Sequence, residues 1–170
     1  MKTSKILFSS LLFIFAIAFT ACQSDDPADL IVGTWEYSNV SVDVQTSNPI
    51  LTTFLKESFS EEYGAESASY TFNADGTALL VSYYEEGEKR SEKGVYKIEN
   101  KKLFFAEDKD ELAKTKDEDG VSFTVSKKSL QLIVYDYSSE SLSSIAKAYE
   151  KEYGKVTISK LAIVMNLKKK

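Results

Sequence analysis

The strongest constraint on this chain is period-two alternation confined to short segments, each closed by a turn. Gly33 to Val40 alternates with Trp35 and Tyr37 on one side, which reads as a first strand. Ser69-Tyr70-Thr71-Phe72 runs into Asn73-Ala74-Asp75-Gly76, whose small and amide side chains suit a tight turn. The chain then returns along Thr77 to Glu85, giving a β-hairpin. Glu86-Gly87-Glu88 turns into a fourth strand over Glu92 to Ile98, and Asn100-Lys101 leads to a fifth over Leu103 to Ala106. Val121, Phe123 and Val125 alternate with Ser122 and Thr124, Lys127-Lys128 turns into Leu130 to Tyr135, and Val156 to Leu167 closes the series. Eight strands joined mostly by short connections predict a mainly β fold, an antiparallel up-and-down barrel without exposed sheet edges. A two-sheet sandwich is the structural alternative, and strand count alone does not decide between them.

Two accessory helices interrupt the strands. Asn48 offers a capping side chain and Pro49 stands where a missing N–H is harmless; Ile50, Leu51, Phe54, Leu55 and Phe59 then form an apolar stripe ending near Gly64. In the second helix Leu142, Ile145, Ala146, Tyr149 and Tyr153 mark one face, with Ser138 or Ser139 as cap and Gly154 as terminator. One helix follows the first strand and the other precedes the last. Those strands are neighbours if the barrel closes, so both helices are expected beside one seam, covering one barrel end.

The first residues read as an address. Lys2 and Lys5 precede an apolar run from Ile6 to Phe19, and Thr20-Ala21-Cys22 follows. A run this short falls below the roughly 20 residues of a membrane span and has the layout of a secretory signal. Phe19-Thr20-Ala21-Cys22 resembles the lipobox of bacterial lipoproteins, with Phe19 in place of the usual Leu. The resemblance implies cleavage before Cys22 and acylation of its sulfur and amine, hence a palmitate-type anchor in the membrane; an ordinary signal peptide leaving a free thiol is the alternative. Gln23-Ser24-Asp25-Asp26-Pro27 resembles the acidic signal that sends some Bacteroidota lipoproteins to the outer face of the outer membrane, and also reads as a solvated tether. The expected organisation is a signal peptide over 1–21, a lipidated flexible tether over 22–30 and one barrel domain over 31–170.

Composition narrows the chemistry. The 170 residues include a single Cys and no His, so an intrachain disulfide is excluded and the commonest general base and zinc ligand are missing. The net charge of -5 becomes two units more acidic once Lys2 and Lys5 leave with the signal, which argues against a nucleic-acid partner and against attraction to anionic lipid headgroups. Lys168-Lys169-Lys170 reads as a solvated tail.

Leu30-Ile31-Val32-Gly33-Thr34-Trp35-Glu36-Tyr37, then Tyr70-Thr71-Phe72-Asn73-Ala74-Asp75-Gly76-Thr77 and Gly94-Val95-Tyr96-Lys97-Ile98, resemble lipocalin-like lipoproteins of Bacteroidota over about Ile31 to Phe105. The resemblance implies a calycin-type barrel, Trp35 packing across its floor and a lumen that takes small hydrophobic molecules. The two helical insertions depart from a simple lipocalin and would close the lumen if they filled its open end.

Alternation allows Trp35, Tyr37, Tyr70, Phe72, Tyr96 and Phe105 to share the inward face, with Tyr84 competing with Tyr83 for it. Tyr37, Tyr70, Tyr84 and Tyr96 are therefore the candidate ligand contacts, since a phenol offers an apolar ring and a hydroxyl; core packing accounts for the same residues. The acids Asp108, Asp110, Glu111, Asp117, Glu118 and Asp119 lack calcium-loop spacing and alternate with Lys, so no metal and no cofactor is expected. Ser144 and Lys147 match a Ser-x-x-Lys spacing without supporting motifs. The expectation is a non-enzymatic envelope protein that binds a small hydrophobic or amphipathic molecule. The rival is a packed interaction module meeting another envelope protein. A lumen open to solvent and lined by Tyr37, Tyr70 and Tyr96 favours the first.

Overall fold

The structure, a computed structural model, describes residues 26–62, 67–83 and 88–170. Cys22, the signal segment, the first helix's exit at Tyr63-Gly64, and Tyr84 with most of its turn lie outside these residues. The elements in order are α1 (Pro27–Leu30), β1 (Gly33–Thr46), α2 (Pro49–Glu62), β2 (Ala68–Phe72), β3 (Thr77–Tyr83) and β4 (Lys89–Glu99), then β5 (Lys102–Ala106), α3 (Lys109–Leu112), β6 (Val121–Val125), β7 (Ser129–Asp136), α4 (Ser139–Tyr153) and β8 (Ile158–Lys169). Every strand pairs antiparallel with its sequence neighbour and β8 returns to β1, closing an eight-stranded up-and-down barrel. The sandwich alternative is thereby removed. α1 and α3 are single turns beyond the two helices expected, and α1 gives helical form to the last residues of the stretch read as tether, with the Asp26 carboxylate accepting from the Ala28 N–H at 2.9 Å.

The β1–β8 seam is the longest in the barrel, running from Trp35 opposite Lys169 to Thr46 opposite Ile158. Directly opposed residues share a face, so the register fixes what points inward. Trp35, Tyr70, Leu80 and Glu92 lie abreast across β1 to β4, and Phe72, Ala78 and Gly94 form the next row toward the start of β1. We call that end of the barrel the floor. There Ile31, Trp35, Phe72, Leu103, Leu130 and Leu167 form a core with essentially no solvent exposure. The indole nitrogen of Trp35 donates to the Ile31 carbonyl oxygen at 2.6 Å, and α1 lies against β6.

Lys168, Lys169 and Lys170 are exposed, as expected of a solvated run, but they are not a free tail. β8 runs through Lys169 because β1 supplies pairing partners that far, and the inward-facing Lys169 lays its ammonium over the Trp35 ring at 5.0 Å while donating to the Leu30 carbonyl oxygen at 3.1 Å. Lys170 bridges to Glu36 at 3.0 Å.

At the opposite end, a bulge after Tyr37 resets the parity of β1, so Val40, Val42 and Val44 face inward opposite Met165, Ile163 and Leu161. Leu51 and Leu55 of α2 and Leu142 and Ala146 of α4 pack on this surface in a second core. Each helix is started by its own sequence. The Asn48 side-chain oxygen accepts from the N–H groups of Ile50 and Leu51 at 2.9 and 3.2 Å, and the Ser138 hydroxyl accepts from the Ser141 N–H at 3.3 Å. Both helices thus sit over the β1–β8 side of the upper end, as expected from the seam, and among the described residues the β2–β5 side carries no such cover.

Candidate ligand cavity

The uncovered side is where the barrel wall is low. β4 begins at Lys89, but its pairing with β5 begins only at Val95 opposite Ala106, and β5 meets β6 at just Lys102–Ser122 and Leu103–Val121. Lys89 to Gly94 therefore stand above the end of β5, and Tyr135 and Asp136 of β7 stand above the start of β6. The connection from Glu107 to Gly120 does not fill this notch. It folds down the outside of β5, where Phe104 is 3% exposed, the Lys102 ammonium reaches Asp117 at 2.7 Å, and a Cβ on Gly120 would stand 2.5 Å from the Phe104 ring.

A cavity of about 840 Å³ occupies the upper lumen behind this notch. Tyr70, Phe72, Ala78 and Leu80 line it from one side, and Val121, Leu132 and Val134 from the other. Phe105, 40% exposed, stands at its edge with Glu107, and Arg90, Glu92 and Lys93 complete the rim on β4. Arg90 Nε and the Glu92 carboxylate pair at 2.9 Å. The volume falls in the range of small-molecule sites, roughly 300–1,000 Å³, with the usual mixture of apolar wall and few polar groups.

The candidate tyrosines separate by height. Tyr70 lies on the cavity wall, half-buried, with its hydroxyl donating to the Met165 sulfur at 3.6 Å; burial pushes this phenol above its ordinary range. Tyr37 packs into the floor core and does not line the cavity. Tyr96 shares the inward face but packs edge-on against Phe72, 5.0 Å between ring centres, and its hydroxyl leaves the lumen to donate to the Asn73 carbonyl oxygen at 2.9 Å. Burial, and secondarily the Asp75 carboxylate, raise the Tyr96 phenol. Tyr84 lies outside the described residues. Trp35 is fully buried and does not line the cavity. Among the described residues nothing closes the lumen, and of the tyrosines expected to line it only Tyr70 does so.

The rim charges were missed by the sequence reading, although a signal exists. Counting back by twos from Tyr96 gives Gly94, Glu92 and Arg90, so an inward face that turns charged marks the level at which the lumen becomes wet.

The other polar clusters have local duties. Asp108 caps α3, accepting from the N–H groups of Asp110 and Glu111 at 2.9 Å, and Asp119 accepts from the Lys116 N–H at 2.8 Å. Asp117 is held below the usual carboxylate range, chiefly by its hydrogen bond from Lys102. The Ser144 hydroxyl donates to the Glu140 carbonyl oxygen within α4 at 3.0 Å. Comparison of the chain with known protein families, with curated proteins and with solved structures finds no match.

Proposed function

We propose that this is a lipocalin-like envelope lipoprotein, anchored through Cys22 to the outer membrane, that binds a small hydrophobic or amphipathic molecule in its upper lumen without transforming it. The observation that carries the reading is the cavity of about 840 Å³, apolar within and polar at the rim, in a barrel whose floor is packed solid. The anchor rests on the sequence alone, on the position of the only Cys directly after the apolar run.

The packed interaction module remains the second reading because of one surface. Ile50 is 70% exposed beside Phe54, whose ring stacks edge-on with Tyr149 at 5.6 Å and lies 6.2 Å from that of Tyr153, an apolar patch shared by α2 and α4. Native mass spectrometry of the full chain released from its own membranes separates the two. A co-purifying small molecule supports the carrier, whereas a stoichiometric protein partner with an empty lumen rejects it. Fractionation tests the anchor: Cys22→Ser should shift the processed protein to the soluble fraction, and processed protein that stays on membranes rejects lipidation.

A further inference from the structure

We infer that the preferred ligand is uncharged, with an apolar body and one oxygen acceptor that takes the Tyr70 hydroxyl from Met165. This rests on the carrier reading and adds the chemical class of the ligand.

Three observations converge. First, the polar groups of the cavity are sorted by depth. The charged lining residues among those described, Arg90, Glu92, Lys93 and Glu107, stand on the upper half of β4 or just past the end of β5. Leu80 and Tyr70 lie abreast of Glu92, and from that row toward the floor the inner wall is made by Phe72 and Ala78, with Leu132 and Val134 across from them. Lys93 lies on the outer parity of β4, opposite Leu79, and Arg90 and Glu92 are already paired, so Glu107 is the charge left at the mouth and it opposes an anion. A charge carried below the Glu92 row finds no counter-ion among the described lining residues, and burying it unpaired is strongly unfavourable.

Second, among the described residues only two that line the cavity carry hydroxyls, and only one of these faces inward. Thr71 is on the outer face, its hydroxyl 3.0 Å from that of Thr34. Tyr70 is left as the inward-facing hydroxyl among the described lining residues.

Third, the Tyr70 hydroxyl has a poor partner. A thioether sulfur is a weak acceptor, and the separation is 3.6 Å. A ketone, ester or ether oxygen accepts more strongly, so a ligand offering one gains a hydrogen bond at the cost of a weak contact. Met165 is flexible and apolar, and without the hydroxyl it packs against neighbours as any aliphatic side chain does. Burial also keeps the phenol protonated, hence a donor, through the neutral pH range.

The test uses the full chain in nanodiscs, with Nile red as reporter and empty nanodiscs subtracted. Three competitors of equal carbon count displace it: methyl nonyl ketone, undecane and undecanoate. The ketone should displace Nile red at about three- to tenfold lower concentration than undecane, the ratio expected from one net hydrogen bond. Tyr70→Phe should bring the two together, while Met165→Leu should keep the ketone preference. An unchanged ratio in Tyr70→Phe, or undecanoate as the strongest competitor of the wild-type chain, overturns the inference and leaves the carrier reading standing. Nile red that binds no better than to empty nanodiscs overturns both.

Discussion

Trp35 and Ile31 are joined by a 2.6 Å hydrogen bond from indole nitrogen to carbonyl oxygen, made where neither residue has measurable exposure. The bond spans one helical turn of sequence and fastens the start of β1 beneath the lumen. Trp35→Phe keeps an aromatic ring but leaves that carbonyl without its donor in a dry site. We expect a loss of at least about 1–3 kcal/mol, measured by urea unfolding followed by circular dichroism because the chain's single Trp is gone.

Gly94 is required by a close approach. A Cβ there would stand 2.4 Å from the Ala106 carbonyl oxygen, a backbone atom that cannot swing aside. Gly94→Ala should force β4 and β5 apart at the cavity edge and cost about 1–3 kcal/mol. Thermal melting reads the loss, and amide exchange should locate it at Val95 and Ala106, the first pair of that ladder.

The two faces of α2 make a paired prediction. Leu55 is fully buried in the upper core, so Leu55→Ala should destabilise by about 2–5 kcal/mol. Ile50 is 70% exposed, and Ile50→Ser should fall within about 0.5 kcal/mol of wild type in the same urea titration. Equal effects would show that the helix does not dock as described.

Tyr70 gives a pH dependence whose sign is fixed. Its folded phenol is raised by burial, so the unfolded chain ionises first, near the ordinary value of about 10. This contribution to stability is complete below that pH and is lost as pH rises through the folded value. Melting temperatures measured from pH 8 to 11 should therefore fall more steeply for wild type than for Tyr70→Phe, with Tyr96, also raised, accounting for part of what remains.

Filling the lumen tests whether it is used. Ala78 is a small residue on the inner wall beside the cavity, and Ala78→Trp puts a ring into space already empty. Nile red binding should be lost while the melting temperature stays within a few degrees of wild type. A large drop in melting temperature would mean the space is less accommodating than about 840 Å³ implies.

The barrel was legible because local alternation and global register agree over Trp35, Tyr70, Phe72, Tyr96 and Phe105, which all face inward as parity predicts. Parity failed after Tyr37, where the bulge admits one extra residue and hides the continuation of β1 to Thr46. Asn48 and Ser138 announced their helices because capping is a short-range hydrogen bond. The cavity was not legible, since it exists where β4 outruns β5, and that depends on how far two strands pair rather than on either sequence alone. Nor does periodicity report tilt: Tyr96 occupies an inward position, yet its hydroxyl reaches out to Asn73.

α1 and the Trp35 floor stand at one end of the barrel, and the notch above β5 stands at the other. Whatever chain precedes Asp26 therefore joins the domain at its sealed pole. An acyl anchor at Cys22 would turn that pole toward the bilayer and hold the mouth outward, so that cargo would be exchanged with the aqueous side or with a docked donor instead of being drawn up from the lipids beneath. Such a protein would work as a tethered receptacle, collecting for its membrane or discharging away from it.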